Sequence, residues 1–328
     1  MDSFSPIKAP IESELAEFKQ LFDNSVSGPN ALLNDVVSHI RRRNGKLMRP
    51  VLVLLMARLH GAISPATYHT AVSLELLHTA SLVHDDVVDE SSERRGQLSV
   101  NAVFNNKVAV LSGDYLLATS LMHAELTQSH PIIRLIAELG RDLSDGELLQ
   151  LSNVSNLDFS EAVYFEVIRK KTAALFATCA QAAALSAGET DGEALELARL
   201  FGERLGVCFQ IKDDIFDYFD SKEIGKPTGN DMLEGKLTLP VLYALNRTND
   251  DAARQIAARV KEGKASCEEI GRLVAFTKAN GGIAYAERRM NDYKREALEA
   301  LEGMASFPVS DVTRALVAYL DYVVDREK

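Results

Sequence analysis

Residues 74–89 read Leu74-Glu75-Leu76-Leu77-His78-Thr79-Ala80-Ser81-Leu82-Val83-His84-Asp85-Asp86-Val87-Val88-Asp89. Leu74, Leu77, Ser81 and Asp85 recur at helical spacing, so the stretch predicts a helix that ends in carboxylates. A second run, Val207-Cys208-Phe209-Gln210-Ile211-Lys212-Asp213-Asp214-Ile215-Phe216-Asp217, repeats the theme, with Asp213 lying 128 residues after Asp85. In each copy the first and last aspartates share one helix face, one turn or about 6 Å apart. Like charges at that spacing destabilise a helix, and the dipole at a helix C-terminus favours cations over carboxylates. A lone Asp-Asp-x-x-Asp is ordinarily a solvated helix end. Two copies emerging from apolar segments are not explained that way, because buried unpaired carboxylates are too costly to keep. Each copy therefore predicts a bound cation.

Carboxylate-only donors select a hard cation. Magnesium, which is commonly shared between one or two carboxylates and a substrate phosphate, suits sparse aspartates better than calcium. The alternating calcium loop, His-Glu-x-x-His and Cys-x-x-Cys are all absent from the sequence. Magnesium held this way implies a phosphorylated partner, and basic residues follow both acidic runs. Arg94-Arg95-Gly96 follows the first, and Lys222 through Lys236, punctuated by Gly225, Gly229 and Gly235, follows the second. Such glycines allow backbone N–H groups and lysines to converge on an anion. The segment is not a nucleotide P-loop, since Leu237 stands where Ser or Thr is required. A third basic cluster, Arg41 to Arg49, leads through Pro50 into the apolar run Val51-Leu52-Val53-Leu54-Leu55-Met56.

These stretches together resemble the trans-isoprenyl diphosphate synthases, the polyprenyl synthetase family. The resemblance rests on six ordered motifs between residues 45 and 240. They are Gly45-Lys46-x-x-Arg49-Pro50, the first acidic run, Arg94-Arg95-Gly96, Lys171-Thr172, Phe209-Gln210 with the second acidic run, and Gly225-Lys226 through Pro240. It implies a magnesium-dependent prenyltransferase that condenses isopentenyl diphosphate with an allylic diphosphate. Asp85, Asp86, Asp89, Asp213 and Asp217 match the metal ligands. Asp214, about 100° around the helix from Asp213, is a weaker match. Lys46, Arg49, His78 and Arg95 match the positions that hold isopentenyl diphosphate. Arg94, Lys171, Thr172, Gln210, Lys226 and Lys236 match those that hold the allylic diphosphate. One departure is Gln97-Leu98-Ser99, where many relatives carry x-Pro-Thr, which leaves the aim of Arg95 open.

Product length is read from the first acidic helix. Leu74, Leu77 and Ser81 share the Asp85 face and are expected to line the cavity for the growing chain, with Ala80 beside them. Ala80 and Ser81 are small at positions where short-chain members often carry aromatics, which predicts a medium- or long-chain product. Geranylgeranyl or farnesyl diphosphate is the alternative. Gly202 and Gly206 beneath Asp213 are expected to extend the space, and Leu121 or Met122 is a candidate floor, with core packing as their other reading. A terpene cyclase would not need Lys46, Arg49 and His78, and a non-catalytic partner subunit would have lost metal ligands.

Composition fits a soluble helical enzyme. The chain has 328 residues, 46% of them hydrophobic, enough for a sizeable core, and no low-complexity tract or fixed-period repeat divides it. The expectation is one all-α domain, residues 1–328, with helices around a central cavity. Ser64-Pro65, His130-Pro131 and Phe307-Pro308 predict helix starts, and Gly188, Gly263 and Gly281-Gly282 predict breaks. Thr172–Gly188 is free of charge and alanine-rich, but its 17 residues favour a buried helix over a membrane span. The family resemblance implies a homodimer, with this helix as a surface for close packing. The N-terminus lacks a signal or transit pattern, and three scattered cysteines fit reduced thiols in a cytoplasm. A net charge of −11 argues against nucleic acid as a partner.

Overall fold

The structure, a computed structural model, describes residues 4–28, 30–42, 45–94, 96–153, 159–219, 228–248, 250–304 and 310–326. The fold is all-α, as expected. In chain order its main helices are α1 (Glu12–Ser25), α2 (Ala31–Arg41), α3 (Met48–His60), α4 (Pro65–Val88), α5 (Asn106–Leu126), α6 (His130–Asn153), α7 (Glu161–Ile168), α8 (Ala174–Ser186) and α9 (Gly192–Phe216). They continue as α10 (Leu239–Arg247), α11 (Asp251–Lys261), α12 (Cys267–Ala279), α13 (Gly282–Met304) and α14 (Asp311–Asp325). Strand among the described residues amounts to one antiparallel ladder, β1 (Glu93–Arg94) against β2 (Gln97–Leu98), turning at Gly96 with φ +75°.

Local signals set the boundaries where the sequence predicts them. Ser64 caps α4 by accepting the Thr67 N–H, with Pro65 in the first turn where its missing N–H costs nothing. The chain leaves helices through left-handed glycines at Gly188, Gly263 and Gly281. The predicted start at Phe307-Pro308 lies outside the described residues.

The chain forms two compact units. The first comprises Met1–Arg141, Leu175–Gly202 and Leu298–Tyr322. Its core is α3, in which Val51 through Ala57 are all fully buried, together with α4 and the alanine-rich α8. Each fully buried Leu or Val there contributes about 1.5–3 kcal/mol. α4 lies along α5. Between them Ser73 and Ser120 each donate a hydroxyl to the other's carbonyl at 2.8 Å, and His69 Nδ1 meets His123 Nδ1 at 3.0 Å. A Cβ at Gly202 would fall under 3.0 Å from the Phe176 carbonyl, so that glycine serves close backbone packing of α9 on α8.

The second unit comprises Asp142–Ala174, Glu203–Ala297 and Val323–Lys328. Asn246 donates its amide to the Phe159 carbonyl at 2.8 Å, Tyr285 donates to Glu161 at 2.7 Å, and the rings of Tyr243 and Tyr285 stack at 4.0 Å. Between α7 and α8 the helix widens to a π turn over Arg169–Ala173, a local distortion often found at functional sites. Among the described residues no helix is long and apolar enough to cross a membrane. The charge-free stretch is a buried helix, with Phe176, Cys179, Ala180, Ala182, Ala183 and Ala184 fully covered. It therefore cannot be the dimer surface expected of it. Among the described residues α5 carries several exposed apolar side chains, Leu111 and Met122 being 68% and 67% exposed.

Candidate active site

In the first unit, α4 delivers the first acidic run at its C-terminus. Asp85 is half-buried, Asp86 is buried and Asp89 is exposed at the cap, where its N–H closes the last turn on the Asp85 carbonyl at 2.8 Å. Arg94 Nε donates to Asp86 Oδ1 at 2.6 Å, so this arginine, expected on the diphosphate, here sits on the acidic motif itself. Ser99 closes the same loop, its hydroxyl donating to the Ser91 carbonyl at 2.7 Å and its N–H to the Ser92 carbonyl at 3.0 Å. Hydrogen bonding thus holds the segment where many relatives use proline. Arg95 lies outside the described residues. His84 seats the end of α4 on α5, with Nε2 3.3 Å from the Val110 carbonyl and 3.4 Å from Asp114. A Cβ at Gly113 would come under 3.0 Å from that imidazole, so only glycine leaves room for it.

The basic loop before α3 belongs to the same unit. Leu47 takes a left-handed φ of 53°, which breaks the chain between Lys46 and Arg49. Lys46 Nζ contacts the Tyr322 hydroxyl and lies 4.6 Å from its ring centroid. The Arg49 guanidinium lies 5.2 Å over the Phe176 ring, and its buried Nε has no hydrogen-bond partner. His78 is half-buried on α4.

In the second unit, α9 delivers the other acidic run. Asp213 is half-buried and pairs with Arg326, which also donates to the Phe209 carbonyl at 3.1 Å. Asp217 accepts the N–H groups of Asn230 at 2.9 Å and Asp231 at 3.2 Å, while its carbonyl takes the Gly229 N–H at 2.8 Å. Gly229 makes that return possible with φ +82°. Asp214 is different. It is only 2% exposed, and its two oxygens accept from Tyr164 at 2.5 Å and Gln210 at 2.8 Å. Burial pushes its carboxyl up to about 7, with Asp213 and Asp217 raising it further against those two hydrogen bonds. Burial and the charges of Asp214 and Asp217 likewise push Asp231 well above the usual carboxylate range. Unlike the half-buried Asp213 and Asp217, Asp214 is withdrawn from solvent, with both oxygens on side-chain donors.

Lys171 and Thr172 sit in the π turn. Lys171 Nζ contacts Glu147 and lies 3.2 Å from Gln150 Oε1, both presented by α6. Gly146 allows that approach, since its Cβ would meet Lys170 and Lys171 at 2.8–2.9 Å. Thr172 donates its hydroxyl to Gln210 Oε1 at 2.8 Å. Lys236 pairs with Glu234 at 2.8 Å, and Lys226 lies outside the described residues. Sequence reasoning missed Glu147, Gln150, Tyr164 and Arg326. Gly146-Glu147 beside a charge-rich helix face was the only local signal for the first two, and nothing near Tyr164 or Arg326 pointed to them.

The family model for polyprenyl synthetases matches residues 30–276. The chain belongs to the polyprenyl synthetase family. Octaprenyl diphosphate synthase of Haemophilus influenzae is 36% identical over 296 residues, covering 90% of this chain and 88% of that protein. The crystal structure of geranylgeranyl pyrophosphate synthase from Bacteroides thetaiotaomicron matches with a TM-score of 0.87 and 62% identity, over 99% of this chain and 100% of that one. Polyprenyl synthase from Caulobacter crescentus CB15, complexed with calcium and isoprenyl diphosphate, matches with a TM-score of 0.91 and 32% identity, over 99% and 98%.

This polyprenyl synthetase is thus a prenyltransferase of the trans-condensing kind, and the family's substrates are isopentenyl and allylic diphosphates. The family works with divalent metal ions. Among the described residues no cluster of three or more acidic, histidine or cysteine side chains could hold a metal by itself. The donor set nevertheless fits a hard cation that arrives with phosphate oxygens, since Asp85 with Asp89 and Asp213 with Asp217 offer sparse carboxylates. The chain-length expectations fare unevenly. Leu74, Leu77 and Ala80 are buried, and Ser81 is half-buried with its hydroxyl turned back to the His78 carbonyl at 2.9 Å. Gly202 does not open space, being filled by the backbone of α8, and Leu121 and Met122 are solvent-exposed on α5, neither floor nor core.

Proposed function

We propose that this protein is a magnesium-dependent all-trans polyprenyl diphosphate synthase, adding isopentenyl diphosphate to an allylic diphosphate by ionisation, condensation and elimination. The observation that carries the reading is that each acidic helix end already draws an arginine onto it, Arg94 on Asp86 and Arg326 on Asp213. Both motifs demand positive charge in the protein alone. Asp85, Asp89, Asp213 and Asp217 would hold the magnesium. When bound, the metal neutralises charge on the departing diphosphate.

Lys171, Thr172, Gln210, Lys226 and Lys236 grip the allylic diphosphate, and Lys171 with Arg94 meets the negative charge that builds as the carbon–oxygen bond breaks. Lys46, Arg49, His78 and Arg95 hold isopentenyl diphosphate so that its double bond attacks the allylic carbon, an effectively intramolecular step. A proton leaves to the released diphosphate. No protein nucleophile takes part. The family match, residues 30–276, runs through segments of both compact units. The free thiols of Cys179, Cys208 and Cys267 suit a reducing cytoplasm.

The product is medium or long, from about six to ten isoprene units by family analogy. Small Ala80 and Ser81 on the first acidic helix favour it, as does the octaprenyl-forming relative. Geranylgeranyl diphosphate is the second reading, favoured by the 62% identity to the Bacteroides protein. A second copy of the chain covers the α5 face, where Leu111, Tyr115, Met122 and Leu126 are all exposed at helical spacing. Light scattering that gives a monomer mass would count against that dimer. The function is tested by incubating the purified protein with magnesium, isopentenyl diphosphate and an allylic diphosphate. Product must form, and Asp85→Ala or Asp213→Ala must cut turnover by orders of magnitude with helical circular dichroism intact.

A further inference from the structure

We infer that Asp214 is a positioning residue that fixes the orientation of the Gln210 side-chain amide, and does not hold metal. The inference rests on the prenyltransferase reading for the identity of the ligand. Four side chains of one unit form a chain of hydrogen bonds. Tyr164 O–H donates to Asp214 Oδ2 at 2.5 Å, Gln210 Nε2 donates to Asp214 Oδ1 at 2.8 Å, and Thr172 O–H donates to Gln210 Oε1 at 2.8 Å.

The direction of every bond follows from the carboxylate. In its ionised form Asp214 only accepts, and in that form Gln210 turns its NH2 toward Asp214 and its carbonyl oxygen toward Thr172. Thr172 then spends its single hydroxyl proton on that oxygen. The donor left over is the second Nε2 hydrogen of Gln210. An amide turned the other way would present its oxygen where its NH2 now lies, and an oxygen repels a diphosphate. Asp214 therefore selects the amide orientation compatible with an anion, and Tyr164 holds Asp214 in place. At 2% exposure Asp214 is also poorly placed to take a cation from solution.

This separates Asp214 from its neighbours on α9. Asp213 and Asp217 are half-buried and lie one turn apart on another face of the helix, which suits a shared cation. The acidic run thus divides its labour between two half-buried carboxylates and one buried carboxylate that works through Gln210.

The test compares Asp214→Asn, Asp214→Leu and Tyr164→Phe with Asp213→Asn. Two readouts are needed: steady-state constants for each substrate, and calorimetric titration of magnesium in the presence of inorganic diphosphate. Asp214→Leu releases the amide, so KM for the allylic substrate should rise by about tenfold with KM for isopentenyl diphosphate unchanged, and magnesium uptake should stay as in the wild type. Asp214→Asn keeps one oxygen acceptor for the two donors Tyr164 and Gln210 and should recover part of that loss. Tyr164→Phe should raise the allylic KM by about threefold. The inference is overturned if Asp214→Asn loses magnesium uptake as Asp213→Asn does, or if Asp214→Leu leaves the allylic KM unchanged. Should Asp214→Leu fail to fold, an unchanged allylic KM in Tyr164→Phe overturns it equally. A wild type that takes up magnesium with diphosphate yet transfers no prenyl group defeats the functional reading and leaves the calorimetric arm to judge Asp214.

Discussion

Arg326 Nη2 pairs with Asp213 Oδ1, the first carboxylate of the second acidic run, across 113 residues of sequence. Its side chain is 10% exposed and lies 4.1 Å over the Phe209 ring, so the pair is partly withdrawn from water. An arginine held there does for Asp213 what a divalent ion is expected to do. Arg326→Gln should therefore lower the melting temperature of the metal-free protein by roughly 1–2 °C, the equivalent of about 1 kcal/mol. With magnesium and inorganic diphosphate present the loss should shrink, because the cation then offsets Asp213 itself. Differential scanning fluorimetry in the two conditions decides the matter. An equal loss in both would mean that Arg326 acts only through packing.

On the proposed function the basic residues divide by substrate. Arg49 has its buried Nε unpaired, and Lys46 reaches toward the hydroxyl of Tyr322. Lys46→Ala or Arg49→Ala should raise KM for isopentenyl diphosphate by about tenfold or more and move the allylic KM less; Lys226→Ala should do the reverse. Arg49→Lys should not restore function, since an ammonium cannot replace a stacked, forked guanidinium. Initial rates with each substrate varied in turn provide the check, and equal effects on both would refute the division.

Stability should depend on pH through His69 and His123. Their Nδ1 atoms are 3.0 Å apart between α4 and α5, so one must donate and the other accept. Burial, and then the charge of His69, lower His123 from 6.5 to about 4, and burial lowers His69 too. In the unfolded chain both imidazoles take protons near the ordinary value, so below it the unfolded state binds more protons than the folded one. Stability from this pair is present above about pH 6.5 and is lost as pH falls toward 4. The melting temperature of the wild type should accordingly fall more steeply between those limits than that of His123→Gln. Parallel curves would show that the histidines are not the source.

The sequence made legible what is encoded locally. Helix starts at Pro65 and His130, the left-handed breaks at Gly188, Gly263 and Gly281, and the helical ends carrying Asp85 and Asp213 all follow from spacing and capping. What it could not show depends on long-range partners. Nothing near Asp214 announces Tyr164, 50 residues away, and nothing near Asp213 announces Arg326. Gly202 illustrates the ambiguity of a small residue. From sequence it reads as space beneath Asp213, and in the fold that space is taken by the backbone of α8. The charge-free helix misled in the same way, because an apolar surface fits a core and an interface equally well until its neighbours are known.

Product length is the finest test of the first acidic helix. Leu74, Leu77, Ser81 and Asp85 follow one another at successive turns of α4, so a chain growing away from Asp85 would run along them. Leu74 and Leu77 are buried, and Leu77 Cδ1 lies 4.0 Å from where a Cβ of Gly140 would be. Ser81 is the half-buried member of the set, and its hydroxyl is satisfied by its own helix, which leaves a small side chain with no polar demand on the chain beside it. Enlarging it should shorten the product without unfolding the protein. Ser81→Phe should therefore shift the dephosphorylated products, resolved by chromatography, toward fewer isoprene units. Ala80→Phe should mainly destabilise, since Ala80 is 2% exposed and overpacking a core costs about 1–3 kcal/mol. The wild type should make chains longer than geranylgeranyl diphosphate. If it stops there, or if Ser81→Phe leaves the distribution unchanged, the product length is set elsewhere in the fold, even where the prenyltransferase reading stands.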